Sequence, residues 1–187
     1  MNIGLLCDIY RDVRNLSFLF IAFLLFLSIP SPVLAQKDVS EPSYSLPYPG
    51  LLPDSPLYFL KVTRDRVISF LISDSLRKAE FDILQADKRL SGGVKLVEKK
   101  NYVLAESTFS KGLNYFESGI GNIQQAKKEG RDIKPLWQRM KLSIGKHAEI
   151  FSNLIKTEPK EKEGYFQESL KRATRYQARV KELMPQN

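Results

Sequence analysis

The sequence is poor in the residues that most site chemistry needs. Among 187 residues there is one cysteine, Cys7, one histidine, His147, and one tryptophan, Trp137. Cys7 lies ahead of a long apolar run, so the chain after that run has no disulfide, thiol nucleophile or thiolate metal ligand. No cysteine follows the run either, so the usual lipoprotein attachment residue is missing. A lone histidine excludes a multi-histidine metal centre, and the Glu-x-x-His pair of di-iron bundles does not occur. A P-loop, a dinucleotide-binding glycine pattern and a haem-attaching Cys-x-x-Cys-His are equally absent. Serines are plentiful, but one histidine and no nucleophile elbow argue against a catalytic triad. The expectation is a non-catalytic protein without cofactor or metal. Strand-like alternation of comparable strength is also missing, which leaves helix as the material of the fold.

What is present begins with charge. Lysine and arginine number 29 against 21 acidic residues, a formal net charge of +8. Arg11 and Arg14 are balanced by Asp8 and Asp12, so the chain beyond residue 35 carries the whole excess. Such a surface attracts polyanions, and the compartment decides which ones it meets. Residues 16–29 (LSFLFIAFLLFLSI) are uncharged and follow two arginines, as a signal-peptide core does. The run is shorter than the roughly 20 apolar residues of a full span. Pro30 and Pro32 end it, and Val33-Leu34-Ala35 offers small residues for cleavage before Gln36. Residues 1–35 are therefore read as a signal peptide, with a retained membrane anchor or a buried core helix as alternatives. Residues 36–54, rich in Pro, Ser and Tyr, read as a linker, extended and exposed at least to Pro49. Tyr44 and Tyr48 are expected to pack on the domain rather than hold a ligand.

Residues 55–187 read as one helical-bundle domain. Ser55-Pro56 marks the first start, a capping hydroxyl followed by a proline suited to the first helical position. That helix should run from Pro56 to Ile72, with Leu57, Leu60, Val67, Ile68 and Leu71 as its apolar side. A second, from Ser73-Asp74-Ser75 to Lys100, carries Ala79, Ile83, Ala86, Leu90 and Val97 at spacings of three, four and seven. Gly92-Gly93 interrupts it, a kink or a close helix crossing, because each glycine costs up to ~1 kcal/mol in a helix interior. The third, after Asn101, has the clearest stripe: Tyr102, Ala105, Phe109, Leu113, Phe116, Ile120 and Ile123. Gly130 stops it, Asp132 caps the fourth, and Pro159 separates the fourth from a last helix over Glu161–Leu183. His147 is placed at the edge of the fourth helix's apolar face. Short connections favour antiparallel neighbours, so the fold class is all-α, an up-and-down bundle of four to five long helices. Tyr102 to Gly112 resembles half of a tetratricopeptide unit, but no period repeats.

Basic clusters are the remaining candidates for function. Arg172, Arg175 and Arg179 share one face of the last helix, and Lys127, Lys128 and Arg131 surround the turn after the third. These six are the candidate anion-contacting residues; solvated helix faces with cations near C-termini are the plainer account. The partners to expect are an anionic cell-wall polymer, lipid headgroups or another envelope protein. Nucleic acid enters only if the chain stays in the cytoplasm. A protein–protein module with an apolar helix groove is the alternative.

The stretch PGLLPDSPLYFLKVTRDRVISFL, with KAEFDILQADKRL and KKNYVLAESTFSKGL after it, resembles a bacterial family of domains of unknown function, the one numbered five-six-six-seven. Pro49, Gly50, Leu52, Pro53, Asp54, Ser55, Pro56, Tyr58, Leu60 and Lys61 match its opening motif. The resemblance covers about Pro49 to Gln125. It implies an exported or membrane-tethered helical domain and brings no activity, ligand or catalytic residue.

Overall fold

Polar caps and short connections decide where these helices begin and turn. The computed structural model describes residues 44–184, so the apolar run, its cleavage point and the first part of the linker lie outside the described residues. Within them are five α-helices and no strand: α1 (Tyr58–Leu71), α2 (Ser75–Glu98), α3 (Tyr102–Lys128), α4 (Lys134–Thr157) and α5 (Gly164–Glu182). A 3₁₀ turn, Lys160–Lys162, leads into the last. Asp74 accepts the Arg77 N–H at 2.9 Å and Asn101 that of Leu104 at 3.3 Å, each satisfying a donor the first turn leaves open. Asp132 likewise accepts from Lys134 N–H at 2.9 Å. Gly130 adopts φ +73°, which lets the Arg131 N–H reach back to the Ala126 carbonyl and close α3.

The last four helices form two antiparallel hairpins, α2–α3 and α4–α5, laid against each other through α3–α5 and α2–α4. The all-α bundle is therefore present. Phe109, Leu113, Phe116, Ile120 and Ile123, the stripe on α3, are fully buried. Each such burial stabilises by roughly 1.5–3 kcal/mol. Phe109 meets Phe151 edge-on at 5.1 Å, and Phe116 stacks on Tyr176 at 6.1 Å, so aromatics join the two hairpins. The Gly92-Gly93 pair serves a close crossing, and α2 runs unbroken through it. Asp82, Gln85 and Arg89 form a second buried stripe on α2, polar this time, facing α3.

Three expectations need correction. The first helix starts at Tyr58, and Ser55 Oγ only accepts from the Leu57 N–H at 3.4 Å. The apolar side of that helix does not enter the core: Leu57, Leu60, Val67, Ile68 and Leu71 are all exposed. Four helices already close the core, and the surface left for α1 carries Arg89 and Tyr115, so α1 turns its polar side inward. Tyr58 accepts from Arg89 Nη1 at 2.7 Å, and the Lys61 ammonium donates to the carbonyls of Pro49 and Leu51. Finally, the described part of the linker is not all exposed. Pro49 is buried, Tyr44 is half-buried as expected, and Asp54 pairs with Lys99 at 2.7 Å, while Tyr48, against expectation, does not pack on the domain and stays in solvent.

Candidate functional site

Arg89 is the residue around which a site can be built. It sits on the polar stripe of α2 and is only 7% exposed. Nη1 donates to the Tyr58 hydroxyl and the guanidinium lies 4.7 Å from the Tyr115 ring centroid, but Nε is buried without an acceptor. Among the described residues no carboxylate stands within ion-pair distance of it. Burial works against its charge, and the hydroxyls of Tyr115 and Tyr58 more than offset that, so its pKa is raised. A nearly buried cation held by phenols alone is only partly satisfied; an anion would complete it.

Arg89 lines an open cleft of about 370 Å³ between α1 and α3. From α1 come Tyr58, Val62 and Arg66; from α3 come Lys111, Asn114, Tyr115 and Ser118. Arg66 and Lys111 are exposed, and no acidic residue or histidine contributes to the lining. The groups present are cations, neutral donors and two phenol rings. They suit binding of a phosphate or carboxylate, with Arg able to offer a fork of N–H groups. Proton transfer has no evident carrier there.

None of the six candidates read from the sequence lines this cleft; Arg172 meets it only through a hydrogen bond to the lining residue Asn114. Its Nη2 donates to Asn114 Oδ1 at 2.7 Å and its Nη1 to Ser110 Oγ at 3.2 Å. Arg172, Arg175 and Arg179 converge on Tyr176, each guanidinium 5.7–5.9 Å from the ring centroid. Arg179 is also paired with Glu117 at 3.1 Å. Lys127 and Lys128 are exposed at the end of α3, and Arg131 beyond them pairs with Asp74 at 2.7 Å. The two clusters are thus separate. Arg66, Arg89 and Lys111 were missed because each lies in a different helix. A signal existed for Arg89, which falls among Ala86, Leu90 and Gly93 where a solvated arginine does not belong.

A second polar cluster lies inside the bundle. His147 is not at the boundary but 1% exposed, and its Nε2 is 3.1 Å from Asp87 Oδ1. Ser143 donates to the same oxygen at 2.6 Å, and the Tyr44 hydroxyl donates to Oδ2. Burial and then the Asp87 charge push the Tyr44 phenol up to about 12. The carboxylate stands between serine and histidine, so His147 is not placed to take the Ser143 proton as a triad histidine does. The cluster ties the segment before α1 to α2 and α4. Among the described residues no group of three metal-ligating side chains occurs, and no helix is long and apolar enough to cross a membrane.

Fold and cleft define a helical bundle with a basic recess. Residues 50–173 match the family described as Domain of unknown function (DUF5667), and the chain belongs to that family. The match reaches beyond Gln125 into α5. No curated protein and no solved structure matches the chain.

Proposed function

We propose that this protein is an exported, non-catalytic binding module of the cell envelope whose cleft takes an anionic, phosphate- or carboxylate-bearing envelope component. The observation that carries the reading is Arg89, a nearly buried guanidinium without a carboxylate partner among the described residues, in a cleft that also holds Arg66 and Lys111. The net charge of +8 draws anions toward the protein, and the apolar run at residues 16–29 supports export. The chemistry of the lining, donors without a general base, supports binding without catalysis.

Co-sedimentation of the full chain with purified cell wall and with anionic vesicles tests the binding. Binding is expected to weaken with salt, and Arg89→Met combined with Lys111→Gln is expected to weaken it roughly tenfold. Failure to bind either material at low salt refutes the reading. Intact mass with fractionation tests export: a chain beginning at Gln36 outside the cell, or a full-length chain in the membrane, supports it. Full-length protein free in the cytoplasm overturns it. A second reading, capture of a partner helix, is favoured by one feature. Trp137, Ile144, Val180 and Met184 line a mainly apolar groove of about 420 Å³ between α4 and α5. A stable dimer or complex seated in that groove would support it, and a monomer whose groove substitutions change no interaction would exclude it.

A further inference from the structure

The outward face of α1 is apolar in a way nothing in the bundle accounts for. Phe59 is 61% exposed, Val67 53%, Phe70 86% and Leu71 70%, with Leu60 among them. At 100° per residue these five side chains fall within one arc of about 120°, with exposed Thr63 the one polar side chain inside it. Arg66 stands at one border of that arc and Arg64 at the other, where it pairs with the buried Asp65 at 2.8 Å yet keeps most of its side chain in solvent. The opposite side, through Tyr58, Val62 and Asp65, faces the bundle. The helix is thus amphipathic with its apolar half turned to solvent, inverted relative to a bundle helix.

We propose that α1 is an interfacial helix that lies flat in an anionic lipid surface, with its phenylalanines in the acyl-chain boundary and Arg64 and Arg66 on headgroup phosphates. Charge chooses the occupant. An apolar arc edged by guanidiniums on both sides matches a layer of hydrocarbon beneath anionic headgroups. A second copy paired through the same face would bring arginine borders together, a like-charge arrangement that costs affinity. At 14 residues the helix is about 21 Å long, too short to cross and long enough to lie in the interface. It also follows the apolar run by only residues 30–57, so export or anchoring delivers it to a membrane surface. Arg66 additionally lines the cleft, which places Arg89 on the flank of a membrane-seated helix and makes a lipid phosphate its nearest anion. In naming lipid as the anionic component, the inference rests on the binding reading above, yet the two fail separately.

The test uses the full chain with Cys7→Ser and a single new cysteine, Phe70→Cys or Asn153→Cys, carrying an environment-sensitive fluorophore. Vesicles are phosphatidylcholine with and without phosphatidylglycerol, some with brominated acyl chains as quenchers. The label at 70 is expected to shift to the blue and be quenched on anionic vesicles, while the label at 153 stays water-like. Phe59→Ser with Leu71→Ser should reduce the quenching roughly tenfold, and Arg66→Gln, which leaves the Arg64–Asp65 pair intact, should remove much of the preference for anionic lipid. Unchanged helicity and melting of these variants, all altered outside the core, would exclude misfolding as the cause. A label at 70 that stays water-like on vesicles carrying the protein overturns the proposal. So does a shift without vesicles, whether it grows with protein concentration, as a second copy on the face requires, or does not, as cover by the chain's own apolar run requires. Quenching at 70 that survives Arg89→Met, in a protein that binds no phosphate probe, would keep the helix and refute the cleft.

Discussion

Replacing Gly93 by alanine puts two known effects in opposition, and the structure decides which wins. Helix propensity favours alanine by about 1 kcal/mol in the interior of α2. A Cβ at that position, however, would stand 2.1 Å from Cε1 of Phe109, 2.4 Å from Cδ1 and 2.7 Å from Cζ. Ordinary carbon contacts are about 3.5–4 Å, so the ring would have to retreat by roughly 1.5 Å. It has nowhere to go. Phe109 is 1% exposed and is held by Phe151 at 5.1 Å and Phe166 at 6.2 Å. Overpacking of this kind costs about 1–3 kcal/mol, and a ring clamped on two sides belongs at the upper end. The net expectation is a loss of about 2 kcal/mol. Gly121 supplies the control, because it lies on α3 with nothing within 4 Å of an added Cβ. Gly121→Ala should gain about 0.5–1 kcal/mol by propensity alone. Urea unfolding of the purified protein, followed by circular dichroism, reads both, and Gly93→Ala with Phe109→Leu should recover part of the loss. Gly93→Ala as stable as the parent would refute the close crossing of α2 and α3.

Two further predictions concern the buried polar groups. Burial pushes the Asp82 carboxyl up to about 6, against the pull of the Asn122 amide at 2.7 Å and of Lys78. The native state then binds a proton more tightly than the unfolded chain, whose ordinary value is 3.8, so stability should fall as pH rises from about 4 through about 6. Asp82→Asn should flatten that part of the pH–stability curve and raise stability at neutral pH by on the order of 2–3 kcal/mol; an unchanged curve would refute the assignment. Tyr44→Phe removes the hydroxyl donated to Asp87 and should cost about 1–3 kcal/mol, with faster proteolysis ahead of α1. Unchanged cleavage would mean that this segment is not part of the folded unit.

How much of this was legible follows from what a periodic pattern encodes. The stripes of α2 and α3 name residues that, Tyr102 apart, end up buried, because each helix has one apolar side and a closed core to receive it. The Asp87 cluster was not legible, since its members are spread over a linker tyrosine, α2 and α4, and only tertiary packing makes them neighbours. The cleft was not legible: Arg66, Arg89 and Lys111 come from three helices, and Arg89 was hidden by the habit of counting cations as surface.

The first helix shows the deeper limit. Its pattern identifies which residues share a side and says nothing of which way that side points. Leu60, Val67 and Leu71 align as core residues would, yet on the other side the Tyr58 hydroxyl accepts from the Arg89 guanidinium and Lys61 donates to two carbonyls, contacts that fix the helix. Facing the apolar arc inward would set Phe59 and Phe70 over the charged Arg89 and pull Tyr58 off it, leaving a buried guanidinium with still less to satisfy it. That penalty is of the order of a few kcal/mol for a buried charge that loses a partner, and it adds to the loss of the Lys61 contacts with the Pro49 and Leu51 carbonyls. The outward orientation in turn leaves the five apolar side chains of the arc in water. A lipid surface would remove the exposure cost of the outward orientation alone, which is why the same polar contacts that invert α1 also suit it to an interface.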